Sequence, residues 1–254
     1  GSGGGSTGGG SGGGAAGSGT TGGAAGGGAT GGSTGGSPSG GSSGGDRIDD
    51  NVYTDPASDT TPEPTPDFGP DTHIFDPSMS MSDIQSTLNQ VFGDQETDQM
   101  GEDRFGLLFM PGEYDVDVNV AYYMDVRGLG LSPEDVVING HVHSEADWFG
   151  GNSTHNFWRS VANMAVHPDG GEERWAVSQA APFRRMHIYG NLVLDDGGWS
   201  SGGFIADSII DGNINSGSQQ QWYTRDTQMG SWSSGVWNMF FQGVINPPSG
   251  SWPS

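Results

Sequence analysis

Two adjacent carboxylates, Asp195 and Asp196, close an apolar stretch; Asp207 and Asp211 follow, then Arg225-Asp226. Crowded carboxyl groups push their pKa values apart, which gives one acid and one base. Held about 5–10 Å apart, such a pair can cleave a glycosidic bond. Asp195, Asp196 and Asp207 are therefore the candidate catalytic residues. The same acids could also be turn residues paired with Arg184, Arg185 and Arg225. Trp199, Trp222, Tyr223, Trp232 and Trp237 crowd among the turns nearby. An exposed ring offers a flat apolar face to a sugar, so Trp199, Trp222 and Tyr223, with Arg225, are the candidate substrate-binding residues. Trp237, beside Met239-Phe240-Phe241, reads as core.

A second cluster is His141-Val142-His143-Ser144-Glu145. On a strand the two imidazoles and the carboxylate share one side. They could hold a divalent cation, but a polar outer face is the plainer reading, and no metal or cofactor is expected. Gly198-Trp199-Ser200-Ser201-Gly202 matches a nucleophile elbow but lacks the strand–turn–helix setting that motif needs. Gly128-Leu129-Gly130 lacks the third glycine of a dinucleotide site.

The elements that position these residues recur. Short apolar windows align at Asn163–Val166, Arg185–Ile188, Asp207–Ile210, Asp226–Met229 and Phe241–Val244, at intervals of 22, 22, 19 and 15 residues. Recurrence near 20 residues without a helical period implies stacked coils, each burying its apolar face on the next. The expected fold is all-β, a right-handed parallel β-helix. Asn163, Asn191 and Asn213 are expected at corners with left-handed backbone. Before the coils, Ser82-Asp83-Ile84-Gln85 reads as a capping box. Ile84, Leu88 and Val91 share one helical face, and Gly93 ends the helix, which should cap the first coil. Val116, Val118 and Val120 alternate with polar residues as a half-buried strand. Val136–Asn139 reads as the next strand, with a turn at Asn139-Gly140.

Three segments are expected. Residues 1–45, with 25 glycines and no charge, are read as a disordered Gly/Ser-rich linker. Residues 46–72 are an acidic, proline-containing spacer, and residues 73–254 the β-helix domain. The last apolar block ends at Ile245 and Pro247 begins a loop, so further coils are expected beyond it. Net charge is −23 and all eight basic residues are arginine. That charge disfavours nucleic acid and anionic membranes as partners. There is no cysteine and no apolar run long enough to span a bilayer. The Gly/Ser start is of the kind that follows a lipidated cysteine, so an exported bacterial protein is expected, extracellular or at the cell surface, with a possible lipid anchor upstream of residue 1.

A capped helix, a loop, an apolar strand and then Pro111-Gly112-Glu113-Tyr114 resembles the opening of pectate-lyase-like right-handed β-helix proteins. Gly128-Leu129-Gly130-Leu131-Ser132-Pro133, Asn156-Phe157-Trp158-Arg159, Trp175–Ala180 and Gln219-Gln220-Gln221-Trp222 resemble more closely a group of secreted bacterial proteins labelled as coagulation factor 5/8-type domain proteins. The resemblance runs from about Asp71 to the end. That label describes a companion module and implies no activity for this segment. The residues themselves point to an exported β-helix acting on a polysaccharide or oligosaccharide, as a glycoside hydrolase with paired carboxylates. The alternative is a non-catalytic glycan-binding or surface-structural protein. A lyase is disfavoured, because uronic-acid polymers share the protein's negative charge.

Overall fold

The computed structural model describes residues 66–250. The linker expected over residues 1–45 and most of the 46–72 spacer lie outside them. The described chain is a parallel β-solenoid with three sheet faces. Face one stacks β1 (Thr72–Phe75), β2 (Phe105–Phe109), β4 (Met124–Gly128), the first halves of β6 (Ser160–His167) and β8 (Pro182–Ile188), then β10 (Phe204–Ala206), β12 (Gln221–Arg225) and β14 (Asn238–Gln242). Face two stacks β3 (Gly112–Asn119), β5 (Val136–His143), the second halves of β6 and β8, and the starts of β11 (Ile209–Asn215) and β13 (Gln228–Ser233). Face three holds β7 (Glu172–Arg174), β9 (Asn191–Val193) and the ends of β11 and β13.

Strand alternation sends one set of side chains into a continuous core. Leu107, Val126, Val161, Phe183 and Ile205 form its inner column on face one, each fully or almost fully buried. The corner between faces one and two is a column of left-handed residues: Asn163, Arg185, Asp207, Asp226 and Gly243, with φ of 62°, 51°, 54°, 45° and 64°. Four of these begin the windows read from the sequence. In the last coil the register pairs Arg225 with Gln242, so the corner is Gly243 and not Phe241. Asn163 steadies this column by donating to Gly128 O at 2.9 Å and Gly130 O at 2.7 Å. Asn191 and Asn213 instead lie within strands. At the next corner glycines stack: a Cβ on Gly190 would meet Gly171 O at 2.5 Å, and one on Gly212 would meet Gly190 O at 2.7 Å.

Helix α1 (Met81–Gln95) covers the open end of the first coils. Ile84, Leu88 and Val91 are buried as their spacing requires. The N-cap is Ser80, not Ser82, and the helix runs through Gly93 to Gln95. Gln85 does not close a capping box. Its amide pairs with the edge of β3, donating to Asp117 O and accepting from Asp117 N, both at 2.8 Å. It thus satisfies backbone groups that a further strand would otherwise cover. Asn139-Gly140 is no turn; β5 passes straight through it. Glycine is required there because a Cβ would meet Val116 O at 2.2 Å.

Candidate functional site

The face-one strands turn two columns of side chains outward. The first, at the strand entrances, descends from Tyr123 and Trp158 to the small residues Ala180 and Gly202, then Gln221. The second, two residues on, is Asp125, Ser160, Pro182, Phe204, Tyr223 and Phe240. The fall in side-chain size at Ala180 and Gly202 opens a groove of about 410 Å³, with Pro182, Phe204, Tyr223 and Phe240 along one side. Phe204 and Tyr223 pack with centroids 5.5 Å apart and planes tilted by 35°, and Phe240 is half exposed. Two amides edge the groove: Gln179 and Gln221 donate to Ser201 O at 3.1 and 3.2 Å. Each keeps further polar positions for a ligand. Among the described residues no carboxylate lines the groove. An apolar floor with a neutral amide rim suits an uncharged, hydroxyl-rich chain.

Tyr223 and Arg225, expected to bind substrate, do face outward on β12. Tyr223 lines the groove, and its hydroxyl donates to Gln242 Oε1. Arg225 turns to Asp207 and Asp226 instead. Trp222 corrects the sequence reading: it is 2% exposed, not a turn residue. Strand alternation points it inward between Gln221 and Tyr223, and its ring lies against Gly203, where a Cβ would meet it at 2.4 Å. It underlies the groove floor and cannot stack on a ligand from within the core. Trp199 is 70% exposed as expected, and Trp237, read as core, is equally exposed. Trp199 sits on the loop between faces three and one, tied by its carbonyl, which accepts from Ser153 N at 2.8 Å. Phe204, Phe240, Gln179 and Gln221 were missed from sequence. The spacing Phe204, Tyr223, Phe240 follows the coil period and could have marked the aromatic side.

The three candidate acids do not face one another. Asp195 reaches toward the following coil and accepts from Ser218 N at 3.2 Å. Asp196 reaches toward earlier coils, accepting from Ala146 N at 2.9 Å and pairing with Arg174. Asp207 stands at the other end of the face-one strands, on the corner column. Arg184, at 2.9 Å, and then Arg225, at 3.1 Å, hold its carboxyl below the usual range. That suits a permanent anion and not a general acid.

His141, His143 and Glu145 share the outer face as alternation requires, but each imidazole is occupied by carboxylates. His143 Nε2 lies 2.7 Å from Asp117 Oδ1, a close ion-pair contact out of line for a hydrogen bond, and Nδ1 lies 3.4 Å from Glu145. His141 Nδ1 lies 3.4 Å from the fully buried Glu173, which also accepts from Val142 N. Burial pushes the His143 pKa down, but Asp117 and Glu145 outweigh it and raise it to about 9. Among the described residues no three His, Asp or Glu side chains converge as a metal would require.

No family model matches the sequence. The chain is 53% identical over 190 residues to an exo-beta-1,3-glucanase of Streptomyces sp. (strain SirexAA-E / ActE), a match covering 74% of this chain and 31% of the relative. The solved structure of sacteLam55A from Streptomyces sp. SirexAA-E superposes with a TM-score of 0.72 at 52% identity, over 74% of this chain and 34% of that one. A variant of sacteLam55A solved in complex with glucose gives the same figures. These relatives carry neither the pectate-lyase nor the coagulation-factor label. The chain spans about a third of the length of the relatives it matches.

Proposed function

We propose that this protein acts on a β-1,3-linked glucan as a glycoside hydrolase, and that the face-one groove holds the sugar chain. The observation that carries the reading is the 53% identity over 190 residues to an exo-beta-1,3-glucanase. The groove supports it independently: its aromatic side and amide rim fit a neutral polysaccharide. The net charge of −23 disfavours anionic polymers. Hydrolysis would use two carboxyl groups about 5–9.5 Å apart. Asp195, Asp196 and Asp207 hold loops and corners, so the pair is left unassigned. A polymer of this kind is met outside the cell, which agrees with export.

The second reading is a non-catalytic glycan-binding β-helix, favoured by a groove lining that holds no carboxylate among the described residues. Reducing-sugar release from a linear β-1,3-glucan, measured beside pull-down on the insoluble polymer, separates the two. Release that is specific for the β-1,3 linkage is expected. Binding without release would leave the second reading, and neither would refute both.

A further inference from the structure

Next to the groove, and sharing Ala180 and Pro182 with it, lies a smaller cavity of about 310 Å³ bounded by Tyr123, Asp125, Trp158 and Ser160. Its wall is a ready-stacked platform. The Arg104 guanidinium lies 3.5 Å from the Tyr123 ring centroid. Tyr123 donates its hydroxyl to Gln99 O at 2.7 Å, so the ring is pinned at its tip as well. On its other side Trp158 stacks on Tyr123, centroids 5.5 Å apart and planes within 16°. Phe157 meets Trp158 edge-on at 4.6 Å. The backbone also fixes the ring: Tyr123 and Trp158 hold φ of 59° and 55°, left-handed values rare for aromatic residues. Tyr123 N donates to Trp158 O, so the parallel register places Tyr123 on one side of Trp158 and Ala180 on the other. A methyl cannot cover an indole, and Trp158 stays 42% exposed.

We propose that the uncovered face of Trp158 is an outlying sugar subsite, taking one pyranose ring of the chain held in the groove. The inference rests on the glucan reading above and extends it. A neutral sugar fits for three reasons. A flat, immobilised ring costs little ordering entropy when it stacks on a ligand. The Ser160 hydroxyl donates to Asp125, and that carboxylate, also paired with Arg127 at 2.7 Å, keeps lone pairs for sugar hydroxyls at the cavity wall. The volume stands at the low end for a ligand cavity, which suits a single ring.

The test compares β-1,3-gluco-oligosaccharides of increasing length by calorimetry on the full chain. In the wild type, affinity rises with length until a unit reaches Trp158. In Trp158→Asn the loss grows with length, to about five- to tenfold for the longest oligomers. Asparagine is chosen because it tolerates the left-handed backbone at this position, so the fold survives, as a melting curve verifies. Trp158→Phe, which keeps an aromatic face, should recover part of the lost affinity. Equal affinities for wild type and Trp158→Asn at every length would overturn the subsite while leaving the groove intact. No binding of any length in the wild type would overturn the glucan reading and the subsite with it.

Discussion

Raising the pH from 6.5 to 9 should destabilise this protein, chiefly through His143. The imidazole is 12% exposed and lies between Asp117 and Glu145. Its folded pKa is about 9, against about 6.5 in an unfolded chain. A group whose folded pKa is raised contributes stability that is complete below the unfolded value and lost as pH climbs through the folded one. The difference amounts to about 3 kcal/mol, or a fall in Tm of roughly 6–12 °C for a domain of this size. His141 adds to the loss, because Glu173 raises its pKa too. Asp117 and Glu145 are held below their usual values, first by His143, so their share is lost only on acidification. Differential scanning calorimetry at pH 6, 7.5 and 9 reads the slope, and NMR titration of the His143 ring reads the pKa. His143→Gln should melt lower at pH 6 and lose most of the dependence between pH 6.5 and 9. A wild-type Tm that stays flat over that range, or a variant that keeps the full slope, would refute the reasoning.

Two further outcomes concern stability. Trp222→Ala should cost about 3–5 kcal/mol by leaving a cavity beneath the groove, seen as a large fall in Tm together with weaker glucan binding; an unchanged Tm would place the ring outside the core. Gln85→Ala should cost about 1 kcal/mol, because Asp117 loses both partners at the β3 edge; hydrogen exchange at the Asp117 amide should accelerate, and unaltered protection would show that α1 covers that edge without the amide.

The repeat near 20 residues, the left-handed corner at Asn163 and the buried face of α1 were all written in the sequence, whereas Arg185, Asp207 and Asp226 were legible only as the starts of apolar windows, and Asn191 and Asn213, expected at corners, lie within strands. Each depends on local geometry that a residue's type and spacing dictate: alternation in a strand, three or four residues in a helix, one tight bend per coil. The shared outward face of His141, His143 and Glu145 follows from the same alternation. What pairs across coils was not written there. Whether Trp222 faces core or solvent turns on the phase of β12 against β10, and Gly203 opposite decides it. Asp196 looks like a catalytic acid until Arg174 and the Ala146 amide, 22 and 50 residues away, arrive at its oxygens. Gln85 reads as a helix cap until the edge of β3 stands beside it. The groove exists only because Ala180 and Gly202 fall in register between Trp158 and Gln221, and register is set by the stacking of whole coils, not by neighbours along the chain.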